Sequence, residues 1–295
     1  MQIISKTDTA FVIFYALLIP LVGALVFYVS GQTIILLITP MLLALYLWLA
    51  LKKPLRRGRA APMPLPPPWL EYLLGHSAYY RGLDDEARNK FERDIRLFFS
   101  DNNIKGIGGA EVTWKTRLLI GAGVAAMLHG RPEWEPPLPD GITVYPGLSF
   151  DRNYRVEKGN IAGQAPERGP LLIAEESLKQ GFADAHDGHN VLIHELAHFF
   201  DREQRKVGGR YSRRLGRGRS DSWADIMSRE WQKHTQQGSI LPAYAALNEA
   251  EFFAVTCEMF FENPRPLHAA HPELYQLLQD FYNQDPRQIL PDRAG

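Results

Sequence analysis

The strongest constraint on this chain is a long stretch near its start that carries no charge. Not one residue from 10 to 51 is acidic or basic. A polar Ser-Gly-Gln tip divides the stretch into two apolar segments, 10–29 and 33–51. A helix needs about 20 apolar residues to cross the ~30 Å hydrocarbon layer of a membrane. The pattern therefore predicts a transmembrane helical hairpin over residues 1–51, with one span in each segment.

Three other interpretations of the uncharged stretch stay open: a cleaved signal peptide, a buried hairpin in a soluble protein, and one long span. A signal peptide has a positive region before its apolar core and a small-residue cleavage site after it. Here Lys6 is offset by Asp8, and no such site follows Val29. The two-span hairpin fits the length requirement better than these alternatives.

A cluster of basic residues directly after the second span predicts the orientation of the hairpin. Its members are Lys52, Lys53, Arg56, Arg57 and Arg59, whereas the tip of the hairpin carries no charge. Positive residues flank membrane helices on the cytoplasmic side. We therefore expect the N-terminus and everything after residue 51 to lie in the cytoplasm, at the inner (cytoplasmic) membrane of the cell.

The segment that follows the basic cluster is rich in proline. Residues 60–68 read Ala-Ala-Pro-Met-Pro-Leu-Pro-Pro-Pro, a composition typical of a semi-rigid extended spacer. Together with the basic cluster it forms an expected linker over residues 52–68. A ligand for a proline-binding module is the alternative interpretation.

Charge and cysteine content argue against two broad classes of protein. The chain has 33 basic and 33 acidic residues, and a net charge of zero is unlike that of a protein that coats nucleic acid. Cys257 is its single cysteine, so an internal disulfide framework is excluded. A lone thiol is compatible with a reducing compartment.

Beyond the linker, helix and strand signals predict one mixed domain over residues 69–288, followed by a tail at 289–295. Helices are expected at 84–99, 111–129, 190–202, 220–236, 243–262 and 271–283. Short β-like runs lie at 141–145 and 170–174, with a glycine-rich, charged loop at 147–169. A helix first, then a few strands, then more helices indicates the α+β class.

The main chemical motif is His194-Glu195-Leu196-Ala197-His198. On a helix, residues four apart share a face, so both imidazoles can bind one metal ion, and Glu195 can serve as the base for a metal-bound water. Asn190 is a plausible N-cap for this helix. The alternative is a solvated polar face, but the bulky apolar residues around the motif argue against it.

A catalytic zinc site needs a third protein ligand. The metzincin pattern is excluded, because Asp201 and Gln204 occupy its glycine and histidine positions. The apolar segment 248–261 predicts a buried helix whose carboxylates need partners, and Glu251 is the expected ligand. Glu258, two turns later, is expected to orient a ligand in the second shell, with an ordinary salt bridge as the alternative. Asp201 is expected either to hold a ligand histidine or to be an exposed residue at the helix end.

Several segments together resemble the Mlc titration factor A family of zinc metallopeptidases. They are 190–201, Ala243-Tyr-Ala-Ala246, 250–255 with Glu258 and Phe260-Phe261, Gly163-Gln164 ahead of Gly169-Pro-Leu-Leu172, and the closing 281–286. Their order and spacing match over roughly residues 69–288, most closely from 160 onward. The hairpin lies outside the family's common catalytic region.

The resemblance implies a zincin-like domain of the gluzincin type behind two transmembrane helices. It makes His194, His198 and Glu251 the ligands of one Zn²⁺ and Glu195 the general base. It also implies a catalytic role for Tyr244, seven residues before Glu251, where related zincins place a tyrosine near the metal. Such a phenol can donate to the oxyanion of the reaction. A tyrosine of the core is the alternative.

Motif and resemblance together predict a membrane-anchored zinc peptidase that faces the cytoplasm and cleaves a peptide or protein substrate. Cleavage at an amino terminus and cleavage within a chain both stay open. His194 lies more than 140 residues past the second span, which argues against intramembrane proteolysis. The resemblance also implies an alternative class, a regulatory protein that sequesters a transcriptional repressor (Mlc-like) at the membrane. A purely structural zinc is less compatible with a single cysteine.

Two further expectations concern the surroundings of the site. Residues 205–219 contain seven basic residues and no acid, which is typical of a solvated loop; contact with anionic lipid or gating of the cleft are the alternatives. Nucleic-acid binding by this loop would be weak and nonspecific. In zincins an extended substrate commonly pairs with an edge strand, and 141–145 or 170–174 is expected to provide it.

Overall fold

A computed structural model of the chain describes residues 1–138, 140–150, 161–205 and 217–290, without the side chains of 203–205 and 217–222. The basic loop expected at 205–219 therefore lies largely outside the described residues, as does the middle of the loop at 147–169. The described part is dominated by helices around a small sheet.

The first two helices, α1 (Lys6–Ser30) and α2 (Ile34–Ala60), pack against each other as an antiparallel hairpin. The Tyr46 hydroxyl donates to the carbonyl of Phe11 over 3.1 Å. Gly23 lies directly against Thr39, where an added Cβ would come within 2.2 Å of Thr39 Oγ1. Close approach at a small residue is typical of helix pairs in membranes.

Both helices are long and apolar enough to cross a membrane, and none of their most apolar stretches is buried within the protein. This is a criterion of length and composition, which core helices of soluble proteins and signal sequences can also meet. The uncharged stretch thus forms a helical hairpin, and its insertion in a membrane stays a prediction.

The second helix does not end where the apolar run ends. It continues to Ala60, so the basic cluster lies on regular helix, and only residues 61–66 separate α2 from α3 (Pro67–His76). The extended spacer is therefore shorter than the expected 60–68. Prolines 67 and 68 belong to the first turn of α3, where the missing N–H of proline has no helical partner to lose.

Arg57 joins the hairpin to the rest of the protein. Its side chain is only 4% exposed and lies 2.5 Å from Asp101 and 2.9 Å from Glu135. Lys53 also contacts Glu135, over 2.6 Å, and Arg56 contacts Asp101, over 2.8 Å. Burial alone would raise the pKa of Glu135, but Lys53 and Arg57 outweigh that effect and lower it. We call these five residues the hairpin latch.

Two predicted helices form most of the next layer. They are α5 (Asp85–Asp101) and α6 (Trp114–Leu128), preceded by the single turn α4 (Ala78–Arg81). Asp84 caps α5 by accepting from the N–H of Ala87, which explains why that helix begins at its acidic end. All residues of α6 from Leu118 to Leu128 are buried, as the apolar sequence of this part of the helix predicts.

The sheet has four described strands in the order β1 (Ile104–Gly106), β2 (Ile142–Tyr145), β4 (Leu171–Ala174) and β3 (Gly163–Gln164). The first three are parallel, and β3 pairs antiparallel with β4. All side chains of β2 and β4 are buried, as expected for strands covered on both faces.

The expectation that 141–145 or 170–174 provides the edge strand beside the cleft is wrong. Both runs form strands, but each has neighbours on both sides, and the sheet edges are β1 and β3. The sequence of β3 is Gly-Gln, which is too short and too polar to give a strand signal.

The remaining helices build the second half of the domain. They are α7 (Glu175–Gly181), α8 (Val191–Arg205), α9 (Arg217–Gln237), α10 (Glu249–Glu262), α11 (Pro264–Ala270), α12 (Pro272–Tyr282) and α13 (Pro286–Ile289), with a 3₁₀ turn at Ala243–Ala246. The expected single helix at 243–262 is wrong, because the helix is interrupted between the 3₁₀ turn and Asn248. The Asn248 side chain accepts from the N–H groups of Ala250 and Glu251 and so starts α10 anew.

Helix α8 packs against α10, and α9 and α12 pack against α10 and against each other. Aromatic rings fill the space between these helices; among them are Phe200, Phe252, Phe260, Phe281 and Tyr282, all fully buried. The α+β prediction is confirmed in its coarse form, a helix-dominated domain with a small sheet.

The latch gives the first prediction. Arg57→Ala should leave Asp101 and Glu135 without their shared buried partner. Breaking a buried ion pair costs about 3–5 kcal/mol, and we expect the lower end of this range because Arg56 still contacts Asp101. Urea unfolding of the full chain in detergent measures the loss.

Arg59→Ala is the matched control, because Arg59 is exposed on the same helix end; we expect less than about 0.5 kcal/mol there. The pKa of Glu135 is lowered in the folded state, so its stabilisation is present above the ordinary pKa of glutamate and lost as the pH falls below it. The two variants should therefore converge at acid pH. Equal losses for Arg57 and Arg59 at neutral pH would contradict the latch.

Candidate metal centre

The helix that carries the motif is started by Asn190. Its side-chain oxygen accepts from the N–H groups of Leu192 and Ile193 over 3.1 and 3.2 Å. Leu192, Leu196 and other apolar residues of α8 are buried in the core. The helical spacing therefore leaves His194 and His198 together, half-buried, on the face toward α10.

The structure brings His194, His198 and Glu251 together. The Nε2 atoms of the two histidines are 3.2 Å apart. Glu251 Oε2 lies 3.2 Å from His194 Nε2, and its Oε1 lies 3.5 Å from His198 Nε2. Among the described residues this is the group of histidine and carboxylate side chains whose ligand atoms converge as a metal site requires.

These separations fit one ion of the size of zinc. Tetrahedral ligands at about 2.0–2.2 Å from Zn²⁺ stand roughly 3.4 Å from one another. The observed 3.2–3.5 Å between donor atoms matches that edge. Two imidazoles and one carboxylate leave a fourth position open, which is typical of catalytic rather than structural sites.

The short distances among His194, His198 and Glu251 also shift the pKa values of these side chains. Burial alone would lower the pKa of His194, but hydrogen bonds to Glu251 and Glu258 outweigh it and raise the pKa to about 10. Burial and the charge on His194 lower the pKa of His198 to about 4. The hydrogen bond from His194 lowers the pKa of Glu251. The pocket thus favours a positive charge among these three side chains, which a cation supplies.

Glu195 lies beside the ligands and points toward β3. Its side chain is buried, and burial raises its pKa to about 7. A Cβ on Gly163 would come within 2.6 Å of Glu195 Cγ, so only glycine leaves room for the carboxylate against this strand. Gly163 belongs to the segments that carry the family resemblance. Its steric role depends on β3, whose two-residue sequence does not predict a strand.

Glu258 links the candidate ligand His194 to Asn190, the residue that caps α8. Its Oε1 accepts from His194 Nδ1 over 2.8 Å, and its Oε2 accepts from the Asn190 N–H over 2.7 Å. Among the described residues, Glu258 thus contacts His194 and not an arginine, and its role in orienting a metal ligand stays a prediction. Holding Nδ1 leaves Nε2 of His194 directed at the ion position.

Glu262 is a further buried carboxyl that sequence reasoning missed. Its Oε1 accepts from Asn190 Nδ2 over 2.9 Å, and burial raises its pKa well above the ordinary range. Its position four residues after Glu258 on an apolar helix was the available signal. A neutral Glu262 acts on Asn190, and through it on the start of α8.

Tyr244 and Asp201 lie farther from the ligand atoms. Tyr244 is in the 3₁₀ turn; its ring lies 6.3 Å from that of His194, and its hydroxyl donates to Glu258 over 3.4 Å. Burial raises its pKa, so the phenol stays protonated. Asp201 is half-buried near the end of α8. Its role as a partner of a ligand histidine stays a prediction.

Arg202 is a second residue that the sequence analysis did not single out. It follows His198 by one turn, donates to the carbonyl of Ala165 over 2.7 Å, and lies 4.4 Å from the ring centre of Phe199. Ala165 directly follows β3, so Arg202 fixes this end of the edge strand beside the motif helix. These groups line an open cleft of about 1110 Å³ that contains the ligand atoms.

Glu258→Gln gives a prediction that separates its role from general packing. Glutamine has one acceptor oxygen, so either His194 Nδ1 or the Asn190 N–H would face an amide NH₂ group. We expect metal affinity to fall about 10- to 100-fold. Titration of metal-depleted protein with Zn²⁺ against a competing chelator measures this change.

Glu262→Gln is the matched control one turn away, because its carboxyl is already neutral. It should bind Zn²⁺ with nearly the affinity of the unaltered chain. Equal losses in both variants would mean that Glu258 acts only through the fold of α10.

Comparison with known proteins agrees with this geometry. The family model of the glucose-regulated metallo-peptidase M90 matches residues 52–283. An uncharacterized protein of Synechocystis sp., slr2042, is 32% identical over 239 residues, which cover 76% of this chain and 86% of that protein.

Two proteins named Mlc titration factor A match shorter regions. The protein of Enterobacter sp. is 32% identical over 45% of this chain and 52% of its own length, and that of Pectobacterium atrosepticum is 30% identical over 49% and 59%. The chain thus spans about half the length of these relatives. The resemblance to the Mlc titration factor A family is confirmed, and residues 52–283, which the family model matches, include His194, His198 and Glu251. This chain belongs to the glucose-regulated metallo-peptidase M90 family.

Proposed function

We propose that this protein is a membrane-anchored, cytoplasm-facing zinc peptidase with a zincin-like catalytic domain of the gluzincin type. The observation that carries the proposal is the convergence of His194, His198 and Glu251 at zinc-ligand separations, with buried Glu195 beside them. The family membership points to a metallopeptidase and so to a metal ion.

Each side chain has a distinct role in the proposed reaction. His194, His198 and Glu251 hold the ion, and Glu258 keeps His194 in the binding orientation. A bound Zn²⁺ supplies a water of lowered pKa and polarises the scissile carbonyl. Glu195 accepts the proton of the attacking water and then delivers it to the leaving amine; its pKa of about 7 suits both transfers.

Tyr244 is the proposed donor to the oxyanion. Its protonated hydroxyl borders the cleft, near His194, and needs only to leave Glu258 to reach a substrate oxygen. A hydrogen bond formed in the transition state and not before it contributes directly to rate. Asp201 stays a proposed support of the ligand set from the end of α8.

The substrate is a cytosolic peptide or protein. The cleft lies in the folded domain, more than 140 residues beyond the apolar hairpin, and is open to solvent. The basic cluster after the second span supports the cytoplasmic orientation. Anchoring would confine cleavage to substrates that reach the inner membrane surface.

A regulatory role is the second candidate, because relatives carry the name Mlc titration factor A. The protein would then sequester a transcriptional repressor at the membrane, and catalysis would be secondary. Nothing in such a role requires a buried carboxyl group such as that of Glu195 beside an open metal position, so this geometry supports the peptidase.

The metal prediction tests the ligand set. The full chain purified in detergent should contain about one zinc per chain by elemental analysis. His198→Ala and Glu251→Ala should each lose most of it, since two protein ligands bind zinc far less tightly than three. Exposed Glu176→Ala, on α7, is the control and should retain the metal. Full zinc occupancy in Glu251→Ala would overturn the assignment of the third ligand.

The base prediction tests catalysis. Glu195→Gln should keep its zinc and lose hydrolysis of peptide amides by on the order of 10²–10⁴-fold, the usual contribution of a general base. A fluorogenic peptide library with the full chain in detergent measures this rate. Undiminished cleavage would remove Glu195 from the mechanism, and an inactive native protein that still binds a repressor would favour the regulatory candidate.

A further inference from the structure

A row of aromatic rings lies on the surface formed by α3 and the start of α6. Trp69 and Trp114 stack with ring centres 5.9 Å apart and planes 7° from parallel, and Tyr72 meets Trp114 edge-on at 5.5 Å. Lys115 places its ammonium 5.5 Å from the ring of Tyr72 and 5.7 Å from that of Trp114. We call Trp69, Tyr72, Trp114 and Lys115 the aromatic ridge.

The ridge has the composition of a lipid interface. Trp114, its outermost indole, is 36% exposed, and Lys115 is exposed beside it. Tryptophan and tyrosine concentrate at the headgroup level of membranes, because their rings are apolar and their tips are polar. A lysine next to them adds attraction to anionic lipid.

The ridge lies next to the hairpin latch. Trp69 meets the ring of Phe99 edge-on at 6.1 Å, and Phe99 precedes Asp101, the partner of Arg57, by two residues on α5. Both contacts involve the last turn of α5, so the ridge packs on the same end of this helix as the base of the hairpin.

The height of the latch above the bilayer follows from helix geometry. Arg57 comes six residues after Leu51, the end of the uncharged stretch, and lies on the same continuous helix. At 1.5 Å per residue this is about 9 Å. A headgroup layer is roughly 5–8 Å thick on each side of the hydrocarbon core. The latch thus lies at the outer boundary of that layer, and the ridge packs on the same end of α5 as the latch.

The latch also fixes the orientation of the domain relative to the hairpin. The side chain of Arg57 is almost fully buried between Asp101 and Glu135, and Arg96 of α5 donates to the carbonyl of Ala61 over 3.0 Å. These contacts hold the end of α2 against α5. The angle between hairpin and domain is therefore fixed by buried ion pairs and not by an extended spacer.

We propose that the aromatic ridge lies in the headgroup layer of the inner leaflet, so that the peptidase domain is docked on anionic phospholipid as well as anchored by the hairpin. This inference rests on the membrane anchor proposed above. The bilayer is the proposed occupant, because the ridge packs on the end of α5 that also holds the base of the hairpin.

Site-specific labelling of the full chain in anionic lipid nanodiscs tests the proposal. Cys257 is fully buried, so a single introduced cysteine can carry an environment-sensitive NBD fluorophore. Three variants are compared: Leu42→Cys in the second span, Lys115→Cys on the ridge, and Lys233→Cys on the exposed side of α9. The nanodiscs contain phospholipid with a nitroxide either on the headgroup or on the acyl chain.

The expected pattern distinguishes the ridge from the anchor. The label at 42 should be quenched by acyl-chain nitroxide, and the label at 115 by headgroup nitroxide, roughly twofold or more, while the label at 233 is unaffected. Trp114→Gln added to the label at 115 should reduce its quenching. A quenched label at 42 with an unquenched label at 115 overturns the docked ridge and leaves the anchor standing.

Two further outcomes also decide the question. An unquenched label at 42 overturns the membrane anchor and the ridge with it, while zinc content and peptide hydrolysis remain separate measurements. Equal quenching at 115 and 233 would indicate nonspecific association with lipid and would likewise overturn the ridge.

Discussion

Two helices far apart in the chain, α8 and α10, face each other through ionisable side chains inside an apolar domain. Imidazoles from one and carboxylates from the other meet at 2.8–3.5 Å. Such groups are costly to bury unless each finds a partner. The remaining features of the site provide these partners. In the proposed site, a metal ion would bind one nitrogen of His194, and Glu258 contacts the other.

The hydrogen bonds behind the ligands reach the start of the motif helix. Glu258 and Glu262 both contact Asn190, whose side chain in turn starts α8. Glu258 therefore contacts both His194 and the start of its helix, whereas Glu262 contacts Asn190. In the proposed metal site, Glu258 would thus link the orientation of His194 to the packing of α8 on α10.

At the other end of the protein, buried ion pairs fix the hairpin to α5. A tether of flexible residues would leave the cleft free to face any direction. Here α2 continues as helix beyond the apolar run, and Arg57 is buried against two carboxylates. The anchor and the peptidase domain thus behave as one body in our proposal, and the substrate must approach the cleft from a defined side of the membrane surface.

The amino-acid sequence by itself determined the local features. The absence of charge from 10 to 51 requires apolar surroundings, and the i, i+4 spacing of His194 and His198 puts both rings on one helix face whatever else the chain does. Caps such as Asn190 and Asn248 act within a few residues, although the apolar pattern of 243–262 predicts a continuous helix across the break at Asn248. Glu251 could be named because a carboxylate in so apolar a helix requires a partner.

Only the tertiary structure decided what depends on distant contacts. Which strand borders the cleft is set by the order of the sheet, and the two-residue β3 has no periodicity to read. Gly163 is important because Glu195 packs against it, and Glu262 is important because it contacts Asn190, which is 72 residues away in the sequence. In the sequence Arg57 is one of five basic residues that predict the orientation of the hairpin, and only the folded chain places Asp101 and Glu135 around it. Local rules extend over a turn or two of helix, whereas these contacts exist only once the chain has packed.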